Sequence, residues 1–446
     1  MRKEIIFFSL FLFTGLSLFG QTVNLEQART LALANSRSLA RYELAIRSSV
    51  LDERNQLYSM LPTVSAEYRA SMNYLRGGME FVSPADTFTM GMAFSITQII
   101  FQGGKSFIQK AISSIATESV RKDALAEYFN VLDSVDNAYY AVLEASAALE
   151  AEESSLQAAV LGLSIAEVRQ AGGMINQGDY LKALADMETR TNSRNQARRN
   201  LALSLTRFRS LTGITETVEF EQIDFSAYEN VLAFLSAISD EEADALFEDF
   251  WEKMASSNPS LAKAVLSRER AEKNHTLTLR EYSPTISATI FSTDINWNPN
   301  NDPAVSGSGG ISIRGTIPVD FWVLANRVEK SRIARDSALI DYANAESSLE
   351  QELQNALLNI FAQAGSVLSS RRSLEYSKNH FDYVMERYRL SQSSVSELTD
   401  ASTLYITARN SQIRASYSFL QSLSRLRSLC ALDDEDRLIE MLMGNF

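Results

Sequence analysis

The chain has 446 residues, a formal net charge of −13 at pH 7, one cysteine and two histidines. Without clustered Lys and Arg to track phosphates, the acidic balance argues against a nucleic-acid partner. The lone Cys430 excludes an intrachain disulfide and a Cys-rich metal site, and His275 and His380 stand in separate helical patterns, so packing or surface roles suit them better than metal ligation.

The first residues read as an export signal. Arg2 and Lys3 form a basic start, Ile5 to Leu18 an apolar core, and Ser17 to Gly20 a small-residue cleavage zone before Gln21. The core is shorter than the roughly 20 apolar residues of a spanning helix. No Cys near the cleavage zone offers a lipid attachment point.

From about Leu25 to Tyr58 apolar residues recur at helical spacing, and Pro62 ends the pattern. The period then changes to two. In Thr63–Tyr74 the even positions are Val64, Ala66, Tyr68, Ala70, Met72 and Tyr74, and the odd ones are polar or charged, Glu67 and Arg69 among them. After a loop with Gly77, Gly78 and Pro84, Phe88, Met90, Met92, Phe94 and Ile96 alternate with small or polar residues. A two-sided strand pair of this kind suits a membrane barrel with lipid outside and water inside. Half of a soluble sandwich is the other reading. Tyr68, Tyr74, Phe88 and Trp297 fit either interface anchors or ordinary aromatic strand propensity.

Phe101-Gln-Gly-Gly104 is a joint into a proline-free helical stretch from about Gly103 to Arg169, striped by Leu125, Phe129, Leu132, Val135, Tyr139 and Val142. Unbroken, it would span roughly 100 Å. The pattern breaks at Gly172, Gly173 and Gly178, and a return helix runs from about Tyr180 to Leu211 before Gly213. Residues 213–252 hold about a dozen acids and no Lys or Arg. A solvated connector is the simpler reading of this stretch, and a cation site the sharper one.

The plan then repeats. Ser38-Leu39-Ala40 returns as Ser260-Leu261-Ala262, and Pro62-Thr-Val-Ser-Ala66 as Pro284-Thr-Ile-Ser-Ala288. The second hairpin pairs Thr285–Trp297 with Gly309–Val319, and a phase slip at Ile290-Phe291 predicts a β-bulge. A second long helix runs from about Val323 to Tyr388 with the stripe Leu349, Leu353, Ala356, Ile360, Ala364 and Val367, breaks at Ser391–Ser396, and returns from about Glu397 to Leu429. The predicted organisation is a signal at 1–20, a first repeat at 21–212 with hairpin 63–99, and an acidic connector at 213–246. A second repeat follows at 247–430 with hairpin 285–319, then a tail at 431–446. Four strands cannot close a membrane barrel, which needs about eight, so membrane hairpins would require several chains; three would give about twelve strands.

On these features the chain resembles the TolC family of outer membrane efflux proteins. The resemblance rests on the doubled plan, the Leu61-Pro62 turn into a strand, and the strand exit Thr97-Gln-Ile-Ile-Phe-Gln-Gly-Gly-Lys105. It rests also on the break Arg387-Tyr388 to Ser394-Val-Ser-Glu-Leu-Thr-Asp-Ala401. It implies a mainly α fold with a small transmembrane β part: long antiparallel helical hairpins, four strands per chain, and a trimeric twelve-stranded barrel continued by an α-helical barrel into the periplasm. It also implies an exit duct, not an enzyme, without cofactors, partnered by a periplasmic adaptor (membrane fusion) protein, an inner-membrane RND or ABC transporter and outer membrane lipid. A helical structural protein or adhesin is the alternative.

The resemblance places a gate on the helix turns, with Asp179 on the first and Tyr388, Glu397 and Asp400 on the second. Two departures stand out: Ser391 occupies the position of an expected Gly, and Ser393 that of a basic residue. Asp179 also fits an N-cap and Glu397 a capping box with Ser394, whereas Asp400 has no evident capping role. Barrel proteins often end in an aromatic, but the last predicted strand here is internal, so the terminal Phe446 needs no such role.

Overall fold

The computed structural model describes residues 22–72, 88–216, 218–292 and 309–443. The signal segment, Tyr74, Trp297 and Phe446 lie outside these residues. The chain forms two compact units: one of residues 1–37, 127–257 and 350–446, the other of 38–126 and 258–349.

The second unit holds a four-stranded antiparallel sheet of β2 (Thr63–Met72), β3 (Phe88–Phe101), β5 (Thr285–Ser292) and β6 (Gly309–Thr316), in the order β2-β3-β5-β6. Its register explains the period-two sequence. Val64 pairs with Ile96, Ile96 with Ile290 and Ile290 with Ile311, one apolar row across all four strands. The adjacent row is Thr63, Thr97, Thr289 and Ser312, and its side chains face the other way. Hydroxyls knit that polar face together, Ser65 to Ser95 at 2.7 Å and Thr97 to Thr289 at 3.1 Å. The apolar face is left uncovered: Val64 is 74%, Ile311 75% and Ile313 74% exposed, and Tyr68, Phe94 and Ile290 are exposed beside them.

The bulge lies elsewhere than predicted. β5 pairs with β6 without interruption from Thr285 to Ser292, and the register shift falls in β3, between Ile99 and Phe101. The Ile290-Phe291 slip has a different cause. Phe291 takes the polar face opposite Gly310, where a Cβ would stand 3.1 Å from the ring, so the aromatic covers the gap that the glycine leaves.

The same unit holds α2 (Arg37–Tyr58), α7 (Pro259–Leu279), and the first parts of α3 (Lys105–Ala171) and α8 (Phe321–Arg389). Thr117 of α3 donates to the Ser49 carbonyl of α2, and Lys263 of α7 pairs with Asp123 of α3 at 2.7 Å. His275 meets the Ser331 hydroxyl at 2.9 Å, a helix-to-helix packing bond.

The first unit is helical: α1 (Leu25–Asn35), the remainder of α3 and α8, α4 (Gln177–Thr212), α5 (Glu229–Ala237), α6 (Asp240–Ser257), α9 (Val395–Leu429) and α10 (Glu435–Leu442). Phe129, Leu132, Val135, Tyr139 and Val142 of α3 are buried, as are Leu349, Leu353, Ile360, Ala364 and Val367 of α8. Leu125 of the predicted stripe is exposed. Two-residue strands β1 (Thr22–Val23) and β4 (Glu219–Phe220) pair in parallel, and the Tyr139 hydroxyl lies within 3.1 Å of both the Val23 and Glu221 carbonyls.

The acidic connector is folded, unlike the solvated linker that its charge suggests. Val231, Leu232 and Leu235 of α5 and Leu246, Phe250 and Met254 of α6 are buried. Their spacing of three and four gives each short helix an apolar face, which the run of acids masks in the sequence. In the predicted tail, α10 likewise buries Leu438, Met441 and Leu442. Among the described residues no helix is long and apolar enough to cross a membrane.

Candidate functional site

The turns that end α3 and α8 are two copies of one motif, 218 positions apart: Arg169 and Arg387, Gly173 and Ser391, Asn176 and Ser394, Asp179 and Glu397. In the first, the Met174 N–H donates to the Arg169 carbonyl at 2.8 Å and Gly173 takes φ +70°. In the second, the Gln392 N–H donates to the Arg387 carbonyl at 2.8 Å and Ser391 takes φ 65°. Both are Schellman-type stops with a left-handed residue that favours glycine. Ser391 therefore carries a left-handed backbone with a Cβ. Ser391→Gly is expected to stabilise the turn by about 1 kcal/mol, read as a raised thermal midpoint. No rise would mean that the serine side chain offsets the strain.

Each return helix is capped by a short polar side chain. Asn176 accepts from the Asp179 N–H at 2.9 Å, so the N-cap of α4 is Asn176 and Asp179 is its third helical residue. That corrects the expected capping role of Asp179: the cap sits one turn earlier, and the carboxylate instead lies in the first turn, where the helix dipole favours it. In α9 the capping box forms as the sequence suggests. The Ser394 hydroxyl accepts from the Glu397 N–H at 3.1 Å, and the Glu397 carboxylate accepts from the Ser394 N–H at 3.2 Å and from the Ser393 hydroxyl. The Ser393 bond and then the Ser394 amide hold the Glu397 carboxyl below its usual range.

The two hairpins meet over Tyr388. It is fully buried, packed among Ala166 of α3, Ala183 of α4, Val384 and Met385 of α8, and Val395, Leu398 and Ala401 of α9. Its hydroxyl donates to the Gly162 carbonyl at 3.3 Å. The buried Arg169 guanidinium lies 4.3 Å from the ring centroid and donates to the Tyr388 carbonyl. One side chain from the last turn of α3 thus caps the last turn of α8, with its charge on the side that the helix dipole favours. Burial pushes the Tyr388 phenol up, Arg169 works against this, and the Asp179 charge adds to it.

Two more bonds join α4 to α9. Lys182 donates to the Ser396 hydroxyl at 2.7 Å, and Arg190 donates to the Thr403 hydroxyl at 2.8 Å while pairing with Asp186 at 3.3 Å. Burial raises the Asp186 carboxyl, and Arg190 partly offsets that.

Of the four residues expected at a gate, Tyr388 is core, Asp179 half-buried, and Glu397 and Asp400 exposed. Among the described residues nothing bonds to the Asp400 carboxylate. The structure therefore does not gather these four into one surface cluster. Arg169 was absent from the sequence expectation, yet it links the two hairpins through both the Tyr388 ring and the Tyr388 carbonyl. The available signal was the repeat itself: each turn has an Arg four residues before its left-handed residue. The copies have diverged, since Arg387 donates to the Gln392 carbonyl of its own turn at 2.7 Å while Arg169 crosses to the other hairpin.

The chain thus combines doubled helical hairpins with a four-stranded sheet whose apolar face is uncovered. The sequence profile of the outer membrane efflux protein family matches residues 28–214 and 251–431, and the chain belongs to that family. It is accordingly an outer membrane efflux channel protein rather than an enzyme. No curated protein matches it.

Solved channels share the fold at low identity. The outer membrane channel CmeC of Campylobacter jejuni is 15% identical with a TM-score of 0.74, over 95% of this chain and 89% of that one. The outer membrane protein VceC of Vibrio cholerae is 12% identical with a TM-score of 0.72, over 91% and 96%. The open state of the outer membrane channel MtrE of Neisseria gonorrhoeae is 15% identical with a TM-score of 0.71, over 92% and 89%.

Proposed function

We propose that three copies of this chain close one twelve-stranded barrel in the outer membrane, and that their helical hairpins form a periplasmic duct gated at the α3–α4 and α8–α9 turns. The observation that carries the barrel is the Val64–Ile96–Ile290–Ile311 row beside the Thr63–Thr97–Thr289–Ser312 row. A predominantly apolar exposed face, with Gln98 and Ser292 as its polar members, suits lipid, a hydroxyl-rich face suits a water-filled lumen, and the outer strands β2 and β6 need partners from further copies. The apolar face also argues against an adhesin or structural rod, which has no use for it. Membrane extracts are expected to yield an SDS-resistant trimer; a soluble periplasmic monomer would refute the barrel.

At the tip, Arg169, Tyr388 and Lys182 hold the hairpins of one chain together, while Asp400, Glu397 and Asp179 supply negative charge that threefold symmetry would concentrate near the axis. A periplasmic adaptor supplies the contacts that rearrange the hairpins, and an inner-membrane RND or ABC transporter supplies the energy. Asp400→Ala and Asp179→Ala are expected to lower cation preference in planar bilayers. Unchanged conductance and cation preference in both variants would remove these residues from the gate.

A further inference from the structure

The polar face of the sheet carries three charged side chains among the described residues: Glu67, Arg69 and Arg314. Glu67 and Arg69 pair with each other at 3.5 Å, and their charges cancel. Arg314 stands apart. It lies opposite Ser287, which pairs in turn with Ile99, and it is exposed with no carboxylate in reach among the described residues. Its strand neighbours Ile313 and Gly315 face the other side, so the register aims Arg314 away from the apolar surface. An arginine on the lipid face at mid-membrane costs about 2–4 kcal/mol, whereas on the lumen face it costs little and acts on whatever passes.

We propose that Arg314 is a specificity-determining residue of the channel, making the membrane-spanning lumen favour anionic over cationic solutes. This rests on the barrel reading above, in which three copies form a ring of fixed positive charge, the device by which pores select anions. It also separates the duct into two charge filters of opposite sign, since the described tip residues Asp400 and Glu397 are acidic and exposed. Passage through both favours solutes that carry charges of both signs or none.

The test is the reversal potential of trimers in planar bilayers under a KCl gradient. Arg314→Gln is expected to raise the cation-to-anion permeability ratio roughly twofold at 0.1 M salt and less at 1 M, because the screening length falls from about 10 to about 3 Å. Arg314→Glu should shift it further, and Arg314→Lys should leave it near the wild-type value. Orientation is read separately with a charged, membrane-impermeant thiol reagent on Arg314→Cys and Ile313→Cys. The native Cys430 is buried with its thiol pushed up to about 12, so it stays silent. Reaction at position 314 and none at 313 supports the lumen placement. Wild-type reversal potentials for Arg314→Gln and Arg314→Glu, with position 314 reactive, would overturn the selectivity role and leave the barrel standing. Reaction at 313 but not 314, or no conductance at all, would overturn both.

Discussion

Asp136→Ala is expected to destabilise the helical unit by about 3–5 kcal/mol. The carboxylate is fully buried, and it accepts bonds from Arg29 Nε at 2.7 Å, Arg29 Nη2 at 2.9 Å, Arg427 Nη2 at 2.6 Å and Ser424 Oγ at 2.7 Å. It therefore ties α1, α3 and α9 together at one point. Its removal strands a guanidinium that is itself 1% exposed and whose Nε and Nη1 have no hydrogen-bond partner among the described residues. Desolvating a charge is costly, and only the partner charge offsets that cost. A triple variant, Asp136→Leu with Arg427→Met and Arg29→Leu, should be less damaged than the single one, because no buried guanidinium is left without a carboxylate; Glu435, which also pairs with Arg29 at 3.6 Å, keeps its bond from the Tyr228 hydroxyl. The thermal midpoints of the purified proteins decide this. A single variant within about 1 kcal/mol of wild type would mean that water reaches the cluster.

Tyr388→Ala should have the second large effect, and here stability and conduction are coupled. Truncating a fully buried aromatic costs about 3–5 kcal/mol, and this one also removes the platform beneath Arg169. All four tip helices contribute to its surroundings, so the loss falls on the contact between the two hairpins. The expected result is a larger or more frequently open conductance in planar bilayers, together with a lower thermal midpoint. Tyr388→Phe keeps the ring and gives up one bond to the Gly162 carbonyl, worth about 1 kcal/mol, so it should stay near wild-type conductance. If both variants conduct as wild type does, the tip packing does not restrain the channel.

Much of the fold was legible because it obeys simple periods. Strict alternation at 63–72 became β2, the stripes at Phe129–Val142 and Leu349–Val367 became buried helix faces, and the internal repeat became two copies of one turn. The failures have physical causes. Eight of the twelve acids of 213–252 lie on the exposed faces of α5 and α6, so charge density concealed Val231, Leu232, Leu246 and Phe250. The phase of Phe291 is set by Gly310, a partner on another strand that one-dimensional reading does not pair with it. Asp179 lost the cap to Asn176, three residues earlier and equally suited to it.

The tip was the least legible part. Tyr388, expected on the second turn of a gate, is buried among the four tip helices, where it supports the hairpins from inside. The repeat marks Arg169 as the counterpart of Arg387, but not its target, which is the carbonyl of a residue 219 positions later. Tertiary proximity of that range leaves no periodic trace.

The central claim is that this chain forms a water-filled outer membrane duct by assembling its strands with those of other copies. Single-channel recording on the purified SDS-resistant species tests it most directly. The account predicts discrete conductance steps from a trimer, which increase when Tyr388 is replaced by Ala. A monomeric species, or a trimer that inserts and never conducts in either form, would contradict it.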